Sequence, residues 1–285
     1  MPLFYILILA VVQGLAELLP VSSSAHVVVA EKLLGLDPSS PAMTLLLVML
    51  HTGTMFAVIV YFWRRWRETY FRSRPAFKRF AKLIVIASVL TGLIGEVIIK
   101  VIEKTLFRTV PNAQIEDLFS HLELIAPALA LAGALILVAG IVEKGKWLVE
   151  TKDLNARQAG IIGAVQGLCL PFRGLSRSGA TISAGMLLGV AKVRAEMFSF
   201  ALAVVLTPVV VAREVLRLVR AGHAVGTTFA SAALPSLFGA FLAFLAGLIA
   251  LRWLSQWLEG GRWYLFGIYC LFAAAGVSYL HHLGY

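Results

Sequence analysis

Two short polar tracts interrupt an otherwise apolar chain, and both carry groups suited to phosphate and proton chemistry. The first runs from Gln13 and Glu17 through Pro20 and Ser22-Ser23-Ser24 to His26. Gln13 and Glu17 stand at i and i+4, which puts them on one face of a helix. Pro20 ends that helix, because its ring cannot continue the turn. A serine of the cluster can cap the next helix and leave its first N–H groups directed at a ligand. The second tract, Gly174-Leu175-Ser176-Arg177-Ser178-Gly179-Ala180-Thr181, is another helix start, here with a guanidinium and several hydroxyls. Two helix N-termini meeting beside an arginine make an anion site, since dipoles and unsatisfied N–H groups both favour negative charge. The planar fork of Arg177 suits phosphate. Glu17 and His26 beside it suit proton transfer, nucleophilic attack or metal binding.

The elements that must hold these groups are membrane helices. Of 285 residues, 60% are hydrophobic and only 14% charged. A soluble domain has about 45–50% and about 25%. This balance excludes a disordered chain, a disulfide-stapled mini-protein and an ordinary soluble enzyme. The formal charge of +10 reads as basic loops facing anionic lipid rather than as a nucleic-acid surface. Cys169 and Cys270, both in apolar runs, make no disulfide or zinc framework. No Lys or Arg precedes Lys32, so the N-terminus lacks the charged leader of a cleaved signal peptide.

A bilayer-crossing helix needs about 20 mostly apolar residues. Six stretches qualify: 42–62, 81–99, 124–142, 197–219, 232–254 and 263–280. Residues 3–34 and 160–191 are apolar but broken by the two polar tracts, so each is expected to form a re-entrant helical hairpin. Val12-Gln13-Gly14-Leu15 recurs as Val165-Gln166-Gly167-Leu168, a proline follows each copy, and Leu33-Leu34-Gly35 recurs as Leu187-Leu188-Gly189. The expected fold is a single all-α polytopic membrane domain over 1–285 with an inverted-topology repeat, 3–142 and 160–280. An odd number of spans between the hairpins makes them enter from opposite faces, tip to tip near the midplane.

The loop at 63–80, with Arg64, Arg65, Arg67, Arg72, Arg74, Lys78 and Arg79 against Glu68 alone, is expected on the cytoplasmic side, with both termini outside. The connection at 100–123, with Lys100, Lys104 and Arg108 against Glu103, Glu116, Asp117 and Glu123, then lies outside. Residues 143–159, with Lys144, Lys146, Lys152 and Arg157, return inside, while Arg213, Arg217 and Arg220 run against the rule.

Plainer roles compete for several residues. Ser24 and Ser183 are expected to bond within or between helices, and Gln13 and Gln166 to reach the site or only bridge helices. Glu17, His26 and Arg177 stand apart, because an ionisable group at membrane depth costs about 2.5–3.5 kcal/mol on insertion scales. A purely structural Glu17–Arg177 ion pair is the alternative. His51 is expected as a packed helix residue. Glu96 and Glu196 are intramembrane carboxylates without a nameable partner. Trp63, Trp66, Trp253, Trp257, Trp263 and Tyr264 read as an interfacial belt, and His281-His282 as a solvated tail.

On these motifs the chain resembles the undecaprenyl-diphosphate phosphatase family of bacterial membrane enzymes. The match is to a (Glu/Gln)-x-x-x-Glu motif at Gln13 and Glu17, to the Pro-x-Ser-Ser spacing from Pro20 to His26, and to a Gly-x-Ser-Arg-Ser-x-x-Thr motif at Gly174, Ser176, Arg177, Ser178 and Thr181. Arg173 stands where the family usually has proline. No His-x-x-x-Asp follows, which separates the chain from the acid-phosphatase superfamily. The resemblance implies hydrolysis of undecaprenyl diphosphate to undecaprenyl phosphate and inorganic phosphate in the bacterial inner membrane, recycling a cell-wall carrier lipid. It implies His26, Glu17, Arg177 and Ser23 as catalytic residues, and Gln13, Ser22, Ser176, Ser178, Thr181 and Gly174 as substrate-binding ones. It implies no tightly bound cofactor, with a Mg or Ca ion as candidate activator at Glu17 and Gln13. A transporter or flippase of a polyprenyl phosphate is the rival class, since inverted repeats with broken helices also build transporters.

Overall fold

A computed structural model describes residues 2–37, 40–106, 121–145, 153–220 and 227–284. The side chains of 41, 214, 217–220 and 227–232 are not among those described. The described residues form helices and no strand: α1 Leu3–Leu18, α2 Ser23–Leu33, α3 Pro41–Thr69, α4 Arg74–Leu106, α5 Leu122–Lys144, α6 Ala156–Cys169, α7 Arg177–Leu187, α8 Lys192–Arg220, α9 Thr227–Glu259 and α10 Trp263–His282. Among them six are long and apolar enough to cross a membrane: α3, α4, α5, α8, α9 and α10. These are the six expected stretches, and the protein is an all-α multi-pass membrane protein.

The helices outrun the apolar windows that announced them. α3 continues through Arg64 and Arg65 to Thr69, and α4 already begins at Arg74. The expected loop at 63–80 is therefore a turn at 70–73 between two helix ends. Arg, Trp and Glu are competent helix formers, and Arg64 pairs with Glu68 one turn on, Nε to Oε1 3.0 Å. Arg108, Glu116, Asp117, Lys146 and Lys152, and the side chains of Arg217 and Arg220, lie outside the described residues.

The two polar tracts each separate a pair of short helices. Leu19, held extended at ψ 151° ahead of Pro20, ends α1. Ser22 caps α2, its Oγ accepting from the Ala25 N–H at 3.5 Å, and Ser176 caps α7 by accepting from the Gly179 N–H at 3.2 Å. α2 and α7 have 11 residues each, roughly half the length needed to cross a hydrocarbon core.

Packing explains the recurring glycine. α1 lies along α9 and α6 along α4. A Cβ on Gly14 would sit 2.6 Å from the Ala246 Cβ, and one on Gly167 would sit 2.7 Å from the Thr91 carbonyl oxygen. Lipid drives no hydrophobic collapse between helices, so such close backbone approach supplies the dispersion that holds them together. Thr91 strengthens the second contact, donating to the Gly163 carbonyl at 2.8 Å. α5 and α10 pair along their lengths.

Several peripheral expectations are corrected. Trp66 and Trp263 are buried, not interfacial: Trp66 donates to the Met197 carbonyl at 3.2 Å and Trp263 to Ser183 Oγ at 3.0 Å. Trp63 and Trp253 remain exposed. Glu96 lies at the surface beside Lys100, 3.1 Å away. Glu196 is fully buried and does have partners, accepting from Ser255 Oγ at 2.7 Å and lying 3.9 Å from Arg65. His281 is exposed but stands 3.6 Å from Glu123 rather than only in solvent.

Candidate active site

Glu17 is the centre of the cluster. It projects from the last turn of α1, one turn beyond Gln13, whose amide donates to Oε2 at 3.2 Å. Ser23, at the start of α2, donates to the same oxygen at 2.5 Å. The other oxygen accepts from Arg177 Nη2 at 2.6 Å. Gln13 is buried and the Glu17 side chain is 14% exposed, so these bonds form where water competes weakly. Residues far apart in sequence thus converge on one carboxylate.

The tips of the two hairpins are tied by more than that ion pair. Ser24 Oγ accepts from the Gly174 N–H at 3.3 Å, and Ser178 Oγ donates to the Leu19 carbonyl at 3.3 Å. Ser24 therefore bridges the hairpins instead of bonding back along its own helix, and Ser183 joins α7 to α10 through Trp263. Gly174 has φ +101°, and a Cβ there would run into the Ile125 carbonyl and lie 3.1 Å from Ala128. Only glycine fits so close to α5. Thr181 is fully buried, one turn inside α7, with its hydroxyl on the Arg177 carbonyl at 2.7 Å and on Ser199 Oγ at 2.6 Å. It braces α7 against α8.

His26 sits on α2 one turn after its cap. Nδ1 lies 2.8 Å from the Ser22 carbonyl oxygen and Nε2 lies 2.7 Å from the Tyr269 hydroxyl. The Ser22 backbone has φ 68°, a region unfavourable for a side-chain-bearing residue. That conformation turns the chain from Pro20 into α2 and presents the carbonyl to His26.

Arg177 Nη1 is buried and has no hydrogen-bond partner among the described residues. A buried guanidinium donor without an acceptor is costly, and an anion oxygen is a partner that would satisfy it. The first N–H groups of α2 and α7 have no intrahelical acceptor either. The cluster can therefore hold an oxyanion with a histidine on an adjoining helix. As for metals, no group of three or more His, Cys, Asp or Glu gathers among the described residues. Around Glu17 the Gln13 amide N–H and the Ser23 hydroxyl both donate to Oε2, and the Arg177 guanidinium takes Oε1.

Comparison with known proteins gives this geometry a lineage. Residues 6–276 match the family described as Bacitracin resistance protein BacA. The chain belongs to the BacA family. It is 57% identical over 281 residues to Undecaprenyl-diphosphatase 2 of Acinetobacter baylyi, covering 97% of both chains. Undecaprenyl-diphosphatase 2 of Burkholderia ambifaria is 31% identical, over 98% of this chain and 96% of its own. Undecaprenyl-diphosphatase 1 of Burkholderia pseudomallei is likewise 31% identical, over 96% and 95%.

Two residues of this BacA chain reach the cluster without having been expected there. His51 Nε2 lies 3.8 Å from Glu17 Oε2 while Nδ1 bonds to the Leu47 carbonyl at 2.8 Å. His51 is thus more than a packed helix residue. Tyr269, on the last helix, meets His26. A histidine inside an apolar span was a usable signal for the first; an ordinary span tyrosine gave none for the second.

Proposed function

We propose that this chain hydrolyses undecaprenyl diphosphate to undecaprenyl phosphate and inorganic phosphate in the bacterial plasma membrane, and so recycles a carrier lipid for cell-wall synthesis. The observation that carries the reading is the Arg177 fork. Nη2 is fixed on Glu17, and Nη1 is buried and still wants an oxygen. Relatives named as undecaprenyl-diphosphatases over nearly the full length support the same substrate.

The prenyl chain lies against the apolar spans and the diphosphate enters between the hairpin tips. Arg177 and the first N–H groups of α2 and α7 hold its oxygens and offset the charge that grows as the P–O bond breaks. Phosphoryl transfer asks chiefly for positioning and charge stabilisation. Glu17 keeps Arg177 and Ser23 in place. His26 acts through Nε2, either attacking the terminal phosphorus or moving the proton of the attacking water. The phosphorus–oxygen bond to the lipid phosphate breaks and undecaprenyl phosphate leaves; water supplies OH to the terminal phosphorus, directly or by cleaving the phosphorus–nitrogen bond to His26, and its proton passes by way of His26 to solvent.

Glu17 and Gln13 do not fit a Mg or Ca ion in this arrangement: Gln13 turns its amide N–H and Ser23 its O–H to Glu17, and the guanidinium of Arg177 occupies the other carboxylate oxygen. The hairpins α1–α2 and α6–α7 dip in from opposite faces as inverted repeats, with the turn at 70–73 cytoplasmic and both termini outside.

Purified protein in detergent, given a polyprenyl diphosphate, should release phosphate. His26→Ala and Arg177→Ala should each lower that rate roughly a hundredfold or more, the loss of about 3 kcal/mol of transition-state stabilisation. Wild-type release by either variant would refute the assignment. Tight binding of the diphosphate without release by the native protein would make the chain a carrier instead.

A further inference from the structure

The imidazole of His26 is held on both nitrogens, and the two partners differ in kind. A carbonyl oxygen such as that of Ser22 can only accept, so Nδ1 carries a proton. The neutral ring then keeps its lone pair on Nε2, and the Tyr269 hydroxyl, 2.7 Å away, donates to it. The two rings lie nearly parallel, 12° apart, with centroids separated by 5.7 Å. The next residue of α10, Cys270, points its thiol at the Pro20 carbonyl, 3.4 Å away. α10 is therefore anchored at the turn that launches α2, and Tyr269 sits over His26 as a result. Tyr269 is itself 46% exposed, so its hydroxyl has room to swing.

We propose that Tyr269 is a positioning residue that fixes His26 in the Nδ1–H tautomer and covers Nε2 until the diphosphate enters. The inference rests on His26 being the reacting group of the proposed function. Either role for His26, nucleophile or proton carrier, uses the Nε2 lone pair, and in the resting site that pair is engaged. An anionic phosphate oxygen is a better acceptor than an imidazole nitrogen. When the terminal phosphate arrives, the Tyr269 O–H passes its hydrogen bond from Nε2 to that oxygen, and the lone pair is exposed only then. Among the described residues Tyr269 is the hydrogen-bond partner of Nε2.

The test is Tyr269→Phe, which keeps the stacked ring and removes only the hydroxyl. Diethyl pyrocarbonate acylates unprotonated imidazole nitrogen, and peptide mass spectrometry reads His26 separately from His51 and His121. In detergent and without substrate, His26 of the variant should be labelled several-fold faster than in the native protein, with His51 and His121 unchanged. With a polyprenyl diphosphate, kcat should fall about tenfold, the effect of one ordinary hydrogen bond. A native labelling rate at His26 overturns the proposal whatever happens to turnover, and so does faster labelling with native kcat. Labelling needs no turnover, whereas phosphate release by the native protein tests the proposed function, so the two failures are distinguishable.

Discussion

Arg177 and Glu17 stand 160 residues apart in the chain and 2.6 Å apart in space, Nη2 to Oε1. Each begins or ends a short helix of a different hairpin, so the pair reports whether the two hairpins meet. It also divides the guanidinium's two terminal nitrogens, with Nη2 committed to Glu17 and Nη1 buried without a hydrogen-bond partner among the described residues.

That division predicts different results for two conservative changes. Arg177→Lys keeps the charge but has no fork, and one ammonium cannot serve Glu17 and a phosphate in the same geometry. Phosphate release should fall roughly a hundredfold, about 3 kcal/mol, with little change in melting temperature. Glu17→Ala leaves Arg177 uncompensated in a largely buried site, which costs about 3–5 kcal/mol of stability as well as activity. Melting of the purified variants in detergent checks both, and a Glu17→Ala protein as stable as the native one would mean that the pair is too hydrated to matter.

Ser22 offers a cleaner separation of strain from capping. Its φ of 68° is unfavourable for any residue with a Cβ, and its hydroxyl caps α2. Ser22→Ala loses the cap and keeps the strain, so it should destabilise by about 1 kcal/mol. Ser22→Gly loses the same cap but relaxes the backbone, and glycine is itself a fair cap. Glycine should therefore melt above alanine at this position. The opposite order would show that the turn at 19–22 adopts another conformation in the bilayer.

Much of this was readable in the chain because charge in an apolar setting is conspicuous. Glu17, His26 and Arg177 could be singled out since each is expensive at membrane depth, and Pro20 and the serine cluster marked where the helices break. What could not be read depends on which way a span faces. Glu96 and Glu196 have the same chemistry in similar surroundings, yet one lies at the surface beside Lys100 and the other is fully buried on Ser255. Trp66 and Trp263 sit at span ends like Trp63 and Trp253, and only packing sends them inward. Tyr269 meets His26 across 243 residues, a contact with no local trace. Helix ends were short by several residues because basic residues end an apolar window without ending a helix, as α3 shows through Arg64 and Arg65.

Ser255 should matter more than its surface-like residue type suggests. Its hydroxyl is the near partner of a fully buried carboxylate, with the Arg65 guanidinium further away. Ser255→Ala removes that donor and leaves Glu196 Oε1 unsatisfied, which costs about 1–3 kcal/mol or more for a charged group. The cluster lies at the ends of α3, α8 and α9 away from Glu17, so turnover per folded molecule should be unchanged. Measuring melting and phosphate release on one preparation separates the two, and a loss of turnover without a loss of stability would tie this buried carboxylate to the reaction.

The glycine contacts give the last prediction, and it concerns what holds the hairpins in place. Gly14 on α1 faces Ala243 and Ala246 of α9, and a Cβ there would lie 2.8 Å from the Ala243 carbonyl oxygen. That neighbour is backbone and cannot turn aside, so Gly14→Ala must push α1 from α9 and should cost about 1–3 kcal/mol. Gly92, in the middle of α4, has nothing within 4 Å of a Cβ. There the same substitution should be neutral or stabilising by roughly 0.4–1 kcal/mol, through the lost freedom of the unfolded chain. Because α1 carries Gln13 and Glu17, the Gly14 variant should also lose activity in step with its displacement, while Gly92→Ala keeps it. Thermal melts in detergent with parallel phosphate assays decide the matter: equal melting temperatures for the two variants would mean that close packing of α1 on α9 is not what fixes the first hairpin.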